Sequence, residues 1–177
     1  EVIEHLLAID SRGLVPWIPS QGSVGASGDL APLAHLAAAL MGEGAFWVDG
    51  RAEPASDVLK REGIAPLVLA AQDGLALING TQAHTAVAAL ALVQAHRCWD
   101  AAHAAGAMTL EALLGTPVAF DARIHDARGH AGQRESAARL RALLADSEIR
   151  ESHREDDPRV QDAYALRCMP QVHGPVR

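Results

Sequence analysis

Apolar side chains recur every three or four positions along several stretches of the chain, which is the spacing of one face of an α-helix. The first clear stretch runs from Leu30 to Met41. The longest extends from Thr81 to about Ala107, roughly 40 Å at the helical rise per residue. Val87 and Leu90 lie on its apolar face, and its many alanines would allow a neighbouring helix to approach closely. The pattern predicts a mainly helical protein with one long helix.

Shorter elements are predicted between these helices. One hairpin is predicted over residues 46–51, because Asp49-Gly50 suits the type I′ turn that joins two antiparallel strands. The charged stretch of residues 146–157 is interpreted as a solvated loop, since charges of both signs alternate along it. Three further helices are predicted, over residues 1–9, 54–61 and 133–145.

Composition is typical of a globular domain. Hydrophobic residues make up 49% of the 177 residues, which argues against disorder, and no stretch reads as a linker, so no internal boundary is predicted. A net charge of −7 argues against nucleic-acid binding. Apolar runs fall short of the roughly 20 residues that a membrane helix needs. The cysteines, Cys98 and Cys168, follow no metal or redox spacing, which favours a reducing cytoplasm.

The most distinctive stretch is a glycine-spaced loop over residues 21–30, Gln-Gly-Ser-Val-Gly-Ala-Ser-Gly-Asp-Leu. Its three glycines permit positive φ angles and a close approach to other backbone atoms. Asp29 is expected to cap the following helix, and Pro32 falls in the first turn, where a missing N–H costs little. Ser27 therefore lies at the start of a helix, where backbone N–H groups favour negative charge.

Three common motifs do not account for this loop. A Walker phosphate loop ends in Gly-Lys-Ser/Thr, and the loop has no lysine. A dinucleotide-binding fingerprint spaces its first two glycines two residues apart, whereas they are three apart in this chain. The nucleophile elbow of hydrolases has glycine two residues after its serine, where this chain has Asp29. A flexible helix cap without chemistry remains the alternative interpretation.

The tripeptide Ala26-Ser27-Gly28 has the composition that an internal cyclisation requires. In a compressed turn, the amide nitrogen of Gly28 can attack the carbonyl carbon of Ala26, because neither residue carries a bulky side chain. Loss of one water closes a five-membered ring, and loss of the Ser27 hydroxyl leaves an exocyclic methylene. That methylene is an electrophile, whereas ordinary side chains supply nucleophiles, acids and bases.

The loop and its flank resemble the signature of the aromatic amino-acid ammonia-lyases, since residues 22–35 read Gly-Ser-Val-Gly-Ala-Ser-Gly-Asp-Leu-Ala-Pro-Leu-Ala-His. Members of that family carry a self-made methylidene-imidazolone group (MIO) and need no external cofactor. The resemblance implies that Ala26, Ser27 and Gly28 form MIO. It also implies a mainly α fold, a helical bundle portion of the ammonia-lyase (fumarase/aspartase-like) fold, in a cytoplasmic homotetramer whose active sites are shared between subunits.

Two further segments carry side chains that suit an amino-acid ligand. Asn79 before a glycine is ordinary turn chemistry at the start of a helix, although its amide can both donate and accept hydrogen bonds.

A helix is predicted from Asp157-Pro158 to Pro170, and it would project Gln161, Tyr164 and Arg167 to one side. A guanidinium can hold a carboxylate with two hydrogen bonds, and a phenol can transfer a proton. The alternative is a surface arginine and a tyrosine at the edge of the core.

Both segments also resemble the lyase family. The resemblance implies that Arg167 binds the substrate carboxylate, that Asn79 and Gln161 orient the substrate, and that Tyr164 supports ring formation or proton transfer. Their sequences are closest to the histidine branch, which implies non-oxidative deamination of L-histidine to urocanate and ammonia. A lyase or aminomutase acting on phenylalanine or tyrosine stays open, as does a non-catalytic helical assembly piece.

The resemblance covers the whole chain but only about the middle third of a family member. The family's usual base, a tyrosine in an N-terminal loop, and a glutamate from its C-terminal part lie outside this sequence. We therefore expect the chain to be a portion of a longer polypeptide and to be inactive alone. No metal site is predicted, because the histidines of the long helix lack compact ligand spacing; these are His84, His96 and His103.

Overall fold

The computed structural model describes residues 1–177 and is mainly helical. Contacts divide the chain into two compact units, Glu1–Leu90 and Ala91–Arg177. The elements of the first unit are α1 (Val2–Ser11), β1 (Val15–Pro16), α2 (Leu30–Leu40), β2 (Ala45–Val48), β3 (Arg51–Pro54), α3 (Ala55–Arg61), α4 (Asp73–Ile78) and the start of α5 (Gln82–Ala112).

A small antiparallel sheet confirms the predicted hairpin and adds one strand to it. β2 and β3 are joined by Asp49 and Gly50, whose φ angles of 47° and 83° have the positive sign that a type I′ turn requires. β1 pairs with β2 and places Val15 opposite Trp47. This strand was not predicted, because two residues give no alternating pattern. Its Pro16 is tolerated since β1 lies at the sheet edge.

The core of the first unit lies between this sheet and the three predicted helices, α1, α2 and α3. In α2 the side chains of Leu33, Ala37 and Leu40 repeat along one face, and that face is buried. Burial of a large aliphatic or aromatic side chain contributes about 1.5–3 kcal/mol each. The buried core residues are Ile9, Ala39, Leu40, Phe46, Ala55, Val58, Leu59, Ile64 and Leu67.

A short helix that the sequence did not reveal, α4, precedes the long helix. It has six residues, too few for a periodic pattern, and it begins after Gln72, whose φ of 75° is left-handed. The Asp73 carboxylate accepts the backbone N–H of Ala70 at 2.8 Å, which fixes this turn. α4 packs against α2. That contact places the end of α4 beside the loop that leads into α2.

The long helix α5 confirms the prediction for residues 81–107 and extends it to Ala112, over 31 residues. Most of its surface is exposed, including large apolar side chains such as Val87 at 68% and Leu90 at 70%. An 18-residue window between residues 73 and 112 has a mean hydropathy of 1.3 and is 6% buried, so by length and composition alone it could cross a membrane. The core helix of a soluble protein can be equally long and apolar.

The second unit is built around α7, which packs against α6, α10 and two 3₁₀ turns. α7 confirms the helix predicted over residues 133–145, although it begins and ends two residues earlier. After α5 the elements are a 3₁₀ turn (Pro117–Phe120), α6 (Ala122–Arg128), α7 (Ala131–Leu143), α8 (Glu148–Ser152), α9 (Tyr164–Arg167), α10 (Met169–His173) and a 3₁₀ turn (Gly174–Val176). The buried core residues are Ala107, Leu110, Phe120, Ala137, Leu140, Leu144 and Met169.

Two predictions for the second unit were wrong. Residues 146–157, expected to be a loop, contain α8, which the Ser147 side chain caps. The helix expected from Asp157-Pro158 to Pro170 does not begin where predicted, since residues 157–163 are not helical and α9 has only four residues. Pro170 lies in the first turn of α10 rather than at a helix end. It fits there because the first turn needs no N–H.

Candidate active site

The glycine-spaced loop is closed at its base by Asp29. Its carboxylate accepts the backbone N–H of Val24 at 2.9 Å, and the backbone N–H of Leu30 donates to the Val24 carbonyl at 2.8 Å. Asp29 occupies the N-cap position of α2, as predicted, but its side chain forms no hydrogen bond with the first turn. Hydrogen bonds from Val24 and then Ser23 lower the pKa of Asp29, which favours the carboxylate.

The tip of the loop is a tight bend at Ala26-Ser27-Gly28. The backbone N–H of Ala26 donates to the carbonyl of Gly28 at 3.0 Å, so the first and third residues of the tripeptide are held together. Ser27, between them, is exposed. The bend therefore presents the Ser27 hydroxyl while it keeps the backbones of its two small neighbours close.

Gly28 is the buried residue of the loop, and it packs against the turn that follows α4. Its φ of 148° lies in the range that side chains disfavour. A Cβ at this position would overlap the carbonyl oxygen of Gly80 and lie 3.1 Å from the nitrogen of Thr81. Position 28 therefore requires glycine for two independent reasons. The loop and the Asn79 segment, distant in sequence, are therefore in contact in the first unit.

Asn79 ends α4 beside this loop. Its backbone N–H donates to the carbonyl of Leu75 at 2.9 Å, and its φ of −101° and ψ of 72° take the chain out of the helix. The predicted turn is therefore present, although Asn79 closes α4 rather than opening α5, which begins at Gln82. The Asn79 side chain is exposed and forms no hydrogen bond with the protein. Both ends of its amide are thus available to a ligand.

Tyr164 and Arg167 lie together on α9 in the second unit. The guanidinium carbon of Arg167 is 5.7 Å from the centroid of the Tyr164 ring, within cation–π distance. The Arg167 Nε donates to the carbonyl of Asp162 at 2.9 Å. Both side chains border an open cavity of about 320 Å³. Its other lining residues are Ala119, Ile124, Cys168 and Gln171.

Gln161 does not share that helical face, which corrects the prediction for the three side chains. It lies exposed in the non-helical residues 160–163, before α9 begins. The local structure is set by its neighbour Asp162, which is 7% exposed and whose carboxylate accepts the backbone N–H of Thr116 at 2.6 Å. This contact was not predictable from the sequence, because the two residues are 46 positions apart and no local pattern marks either.

His103 is engaged in packing in the second unit. Its Nδ1 lies 2.8 Å from the Trp99 carbonyl oxygen, and its Nε2 lies 2.7 Å from the Ser136 hydroxyl. The ring of His173 is 4.6 Å away, centroid to centroid. Burial, together with the nearby His103, lowers the pKa of His173. The two other histidines considered above, His84 and His96, are exposed.

The structure brings the predicted site residues together in two groups. In the first unit, the tripeptide Ala26-Ser27-Gly28 contacts, through Gly28, the turn after α4 that contains Asn79, here called the Asn79 turn. Tyr164 and Arg167 share α9 in the second unit, and Gln161 precedes them there.

Comparison with known proteins identifies the family of this chain. The family model described as aromatic amino acid lyase matches residues 1–177. The chain belongs to the aromatic amino acid lyases. Among curated lyases, the histidine ammonia-lyase of Sorangium cellulosum is 56% identical over 177 residues, which are 100% of this chain and 34% of that protein. The chain thus spans about a third of the length of the curated relatives it matches.

Solved structures of other aromatic amino acid lyases and aminomutases share the fold. Histidine ammonia-lyase from Trypanosoma cruzi has a TM-score of 0.81 at 42% identity, over 98% of this chain and 31% of that chain. Tyrosine aminomutase from Streptomyces globisporus has a TM-score of 0.84 at 38% identity, over 98% and 36%. The predicted fold class, a mainly α portion of the ammonia-lyase fold, is confirmed.

Proposed function

We propose that the complete protein is a histidine ammonia-lyase, a carbon–nitrogen lyase that converts L-histidine to urocanate and ammonia. The observation that carries this proposal is the bend at Ala26-Ser27-Gly28, packed against the Asn79 turn. The 56% identity with the histidine ammonia-lyase of Sorangium cellulosum supports histidine as the substrate. The activity is proposed for the complete protein, because this chain spans about a third of such an enzyme.

Ala26, Ser27 and Gly28 are proposed to form MIO from their own atoms. A bond forms between the Gly28 nitrogen and the Ala26 carbonyl carbon, whose oxygen leaves as the first water. The Ser27 hydroxyl and α-proton leave as the second water, which creates the exocyclic double bond. The hydrogen bond across the tripeptide and the absence of a side chain at Gly28 both favour this closure. MIO supplies the electrophile that makes the substrate amine a better leaving group.

The remaining residues are proposed to hold the amino acid and to move protons. Arg167 binds the α-carboxylate through two parallel N–H groups. Asn79 and Gln161 orient the substrate, which makes the reaction effectively unimolecular. Tyr164 supports ring formation or proton transfer, since its phenol lies beside a cation and is exposed to a ligand.

The complete protein is proposed to be a cytoplasmic homotetramer with active sites shared between subunits. The support is the run of residues 86–93 in α5, which is apolar around the whole helix and exposed in the single chain; its large side chains are Val87, Leu90, Leu92 and Val93. A helix that is apolar all round is stable when other elements bury it. In a tetramer, helices of other subunits would cover it.

A second candidate is a lyase or aminomutase that acts on phenylalanine or tyrosine. Its support is the TM-score of 0.84 with the tyrosine aminomutase of Streptomyces globisporus. A third is a non-catalytic assembly protein that keeps the tripeptide open. Histidine is favoured over the second candidate because identity is 38% with the aminomutase and 56% with the histidine lyase.

The test uses the complete protein and its Ser27→Ala variant. Intact mass should show the wild type lighter than its sequence by two waters, and the variant at full mass. With L-histidine, ultraviolet absorbance should report the conjugated acid, and Ser27→Ala should lower the rate by at least roughly a thousandfold, the scale of losing a principal catalytic group.

Three results would overturn parts of the proposal. An uncyclised, inactive wild type would favour the assembly protein. Product from L-tyrosine or L-phenylalanine alone would replace histidine as the substrate. Full activity in Ser27→Ala would remove the tripeptide from the chemistry.

A further inference from the structure

Asp162 is attached to its surroundings in two directions at once. Its carboxylate, in a residue that is 7% exposed, accepts the backbone N–H of Thr116 at 2.6 Å. Its carbonyl oxygen accepts the Nε–H of Arg167 at 2.9 Å. The side chain thus ties the residue to a distant part of the unit, while the backbone of the same residue holds a guanidinium.

The contact with Asp162 decides which edge of the Arg167 guanidinium is free. A guanidinium has five N–H donors and can grip a carboxylate with two parallel hydrogen bonds. In Arg167 the Nε–H is already used, and the Tyr164 ring lies 5.7 Å from the guanidinium carbon. Neither Nη donates to a protein group. The edge formed by the two Nη atoms is therefore the one left for a ligand.

The Asp162 carboxylate is itself supported by Arg159. The Arg159 Nη1 lies 3.8 Å from its Oδ1 and donates to the Leu113 carbonyl at 2.8 Å. The Arg159 Nη2 donates to the carbonyl of Leu114. These carbonyls follow α5, so the segment that carries Arg167 is fixed to the end of the longest helix. Such a tether matters because α9, with four residues, has little rigidity of its own.

We propose that Asp162 is a positioning residue for Arg167, and that it aims the Nη edge of the guanidinium at the carboxylate of the substrate. This rests on the proposed function, in which Arg167 binds that carboxylate. Asp162 touches no substrate and acts only through Arg167. Loss of its bond to Thr116 would release residues 160–163 and shift the Nη edge away from the substrate carboxylate, which weakens carboxylate binding.

The test measures carboxylate recognition directly, in the complete protein. Calorimetry compares the binding of two probes, imidazole-4-propanoate and 4-propylimidazole, which differ in the carboxylate. The ratio of their dissociation constants is the carboxylate preference. We expect Asp162→Ala to lower this preference by about tenfold, equivalent to about 1.4 kcal/mol. KM for L-histidine should rise with a smaller change in kcat, because binding of the carboxylate persists from ground state to transition state.

Two other substitutions at Asp162 separate positioning from a general loss of structure. Asp162→Asn keeps an oxygen that can accept the Thr116 N–H, so it should keep the preference within about threefold. Asp162→Glu keeps the charge but displaces the backbone by one methylene, so it should lose preference as the alanine variant does. The matched control is Asp126→Ala, an aspartate of the same unit whose side chain is 63% exposed, and it should leave the preference unchanged.

The result depends on the comparison with Arg167→Lys. If that variant loses the preference while Asp162→Ala and Asp162→Glu keep it, the positioning role is wrong and the role of Arg167 stands. If Arg167→Lys also keeps the preference, the proposed role of Arg167 fails and the positioning role with it. Equal losses in Asp162→Ala and Asp162→Asn would also overturn the positioning role. Should Asp162→Ala not fold, Asp162→Glu decides by the same criterion.

Discussion

At the scale of single residues, the packing of the loop in the first unit depends on the absence of a side chain at Gly28. Its φ of 148° is strained for any side chain, and the Gly80 carbonyl occupies the place of a Cβ. The first constraint concerns the backbone of the loop, whereas the second concerns its contact with the Asn79 turn. Each would select glycine alone, and together they couple the shape of the tripeptide to the position of Asn79.

Gly28→Ala should therefore prevent cyclisation. The added methyl group must push the loop away from Gly80 and strain the backbone, at a cost of about 1–3 kcal/mol. We expect an intact mass without the loss of two waters and, because no MIO forms, a rate lower by at least roughly a thousandfold, as for Ser27→Ala.

Gly13→Ala is the control for Gly28→Ala. Gly13 also has a positive φ, of 64°, but open space where its Cβ would lie. It should lose some stability and still cyclise. A Gly28→Ala protein that loses two waters and keeps its rate would contradict the structural argument.

At the scale of elements, the C-terminal helix α10 is held by an aromatic cluster. The Trp99 Nε1 donates to the His173 carbonyl at 3.0 Å, and the Arg139 and Arg177 guanidinium carbons lie 5.6 Å and 5.5 Å from the Trp99 ring. The two arginines are paired with Asp100 and Glu135 at 2.9 Å and 2.8 Å. The His173 ring lies against His103. A proton on the partly buried His173 ring would be poorly solvated there.

Acidification should loosen α10 through His173. Its pKa is lowered below 6.5 by burial and by His103. The unfolded state therefore binds the proton first, so the stability contributed by the neutral ring is present above about pH 6.5 and declines as pH falls below it. The melting temperature of the complete protein should fall between pH 7.5 and 5.5, and by less in His173→Gln. An identical pH dependence in the variant would assign the effect to another group.

Elements with local signals were predictable from sequence, and those fixed by distant partners were not. Leu33, Ala37 and Leu40 mark α2 by their spacing, and Asp49-Gly50 marks the hairpin by its turn chemistry. The non-helical residues 160–163 carry no such mark, because the Asp162 carboxylate binds a backbone N–H 46 residues away. For the same reason Gln161 was placed on a helical face that does not form.

In the candidate site, too, some features were predictable from the sequence and others were not. The composition of Ala26-Ser27-Gly28 led to the proposed cyclisation, since that chemistry requires small neighbours on both sides of the serine. The role of Asp29 in closing the loop was not evident, because a carboxylate before a helix is usually its cap. Only the structure shows that it accepts the Val24 N–H instead.

At the scale of the whole molecule, the exposed first half of α5 supports the proposed assembly. Residues 86–93 of this half are all apolar and exposed, so the single chain leaves them in water, which is unfavourable by about 25 cal/mol per Å² of apolar surface. The proposed tetramer would bury them. This helix would then link the site segments to the subunit interface, since the Asn79 turn precedes it and Thr116 follows it.

Leu90→Glu should disrupt that assembly. Leu90 is 70% exposed in the single chain, and a carboxylate at a buried subunit contact would be desolvated without a partner. Light scattering after gel filtration should show a shift from tetramer to smaller species, with activity lost in parallel.

Arg97→Gln is the control on the same helix, at a position that is already polar, and it should remain tetrameric. A tetramer in both variants would place the interface elsewhere.

The glycine at position 28 also limits how this chain can vary. Every amino acid other than glycine has a Cβ, so each single-base change that replaces this glycine with another amino acid inserts an atom into the space of the Gly80 carbonyl. Elsewhere in the loop a mutation can be partly conservative, but position 28 has no conservative neighbour in the genetic code. A library of all missense variants should therefore contain no active clone altered at that codon alone.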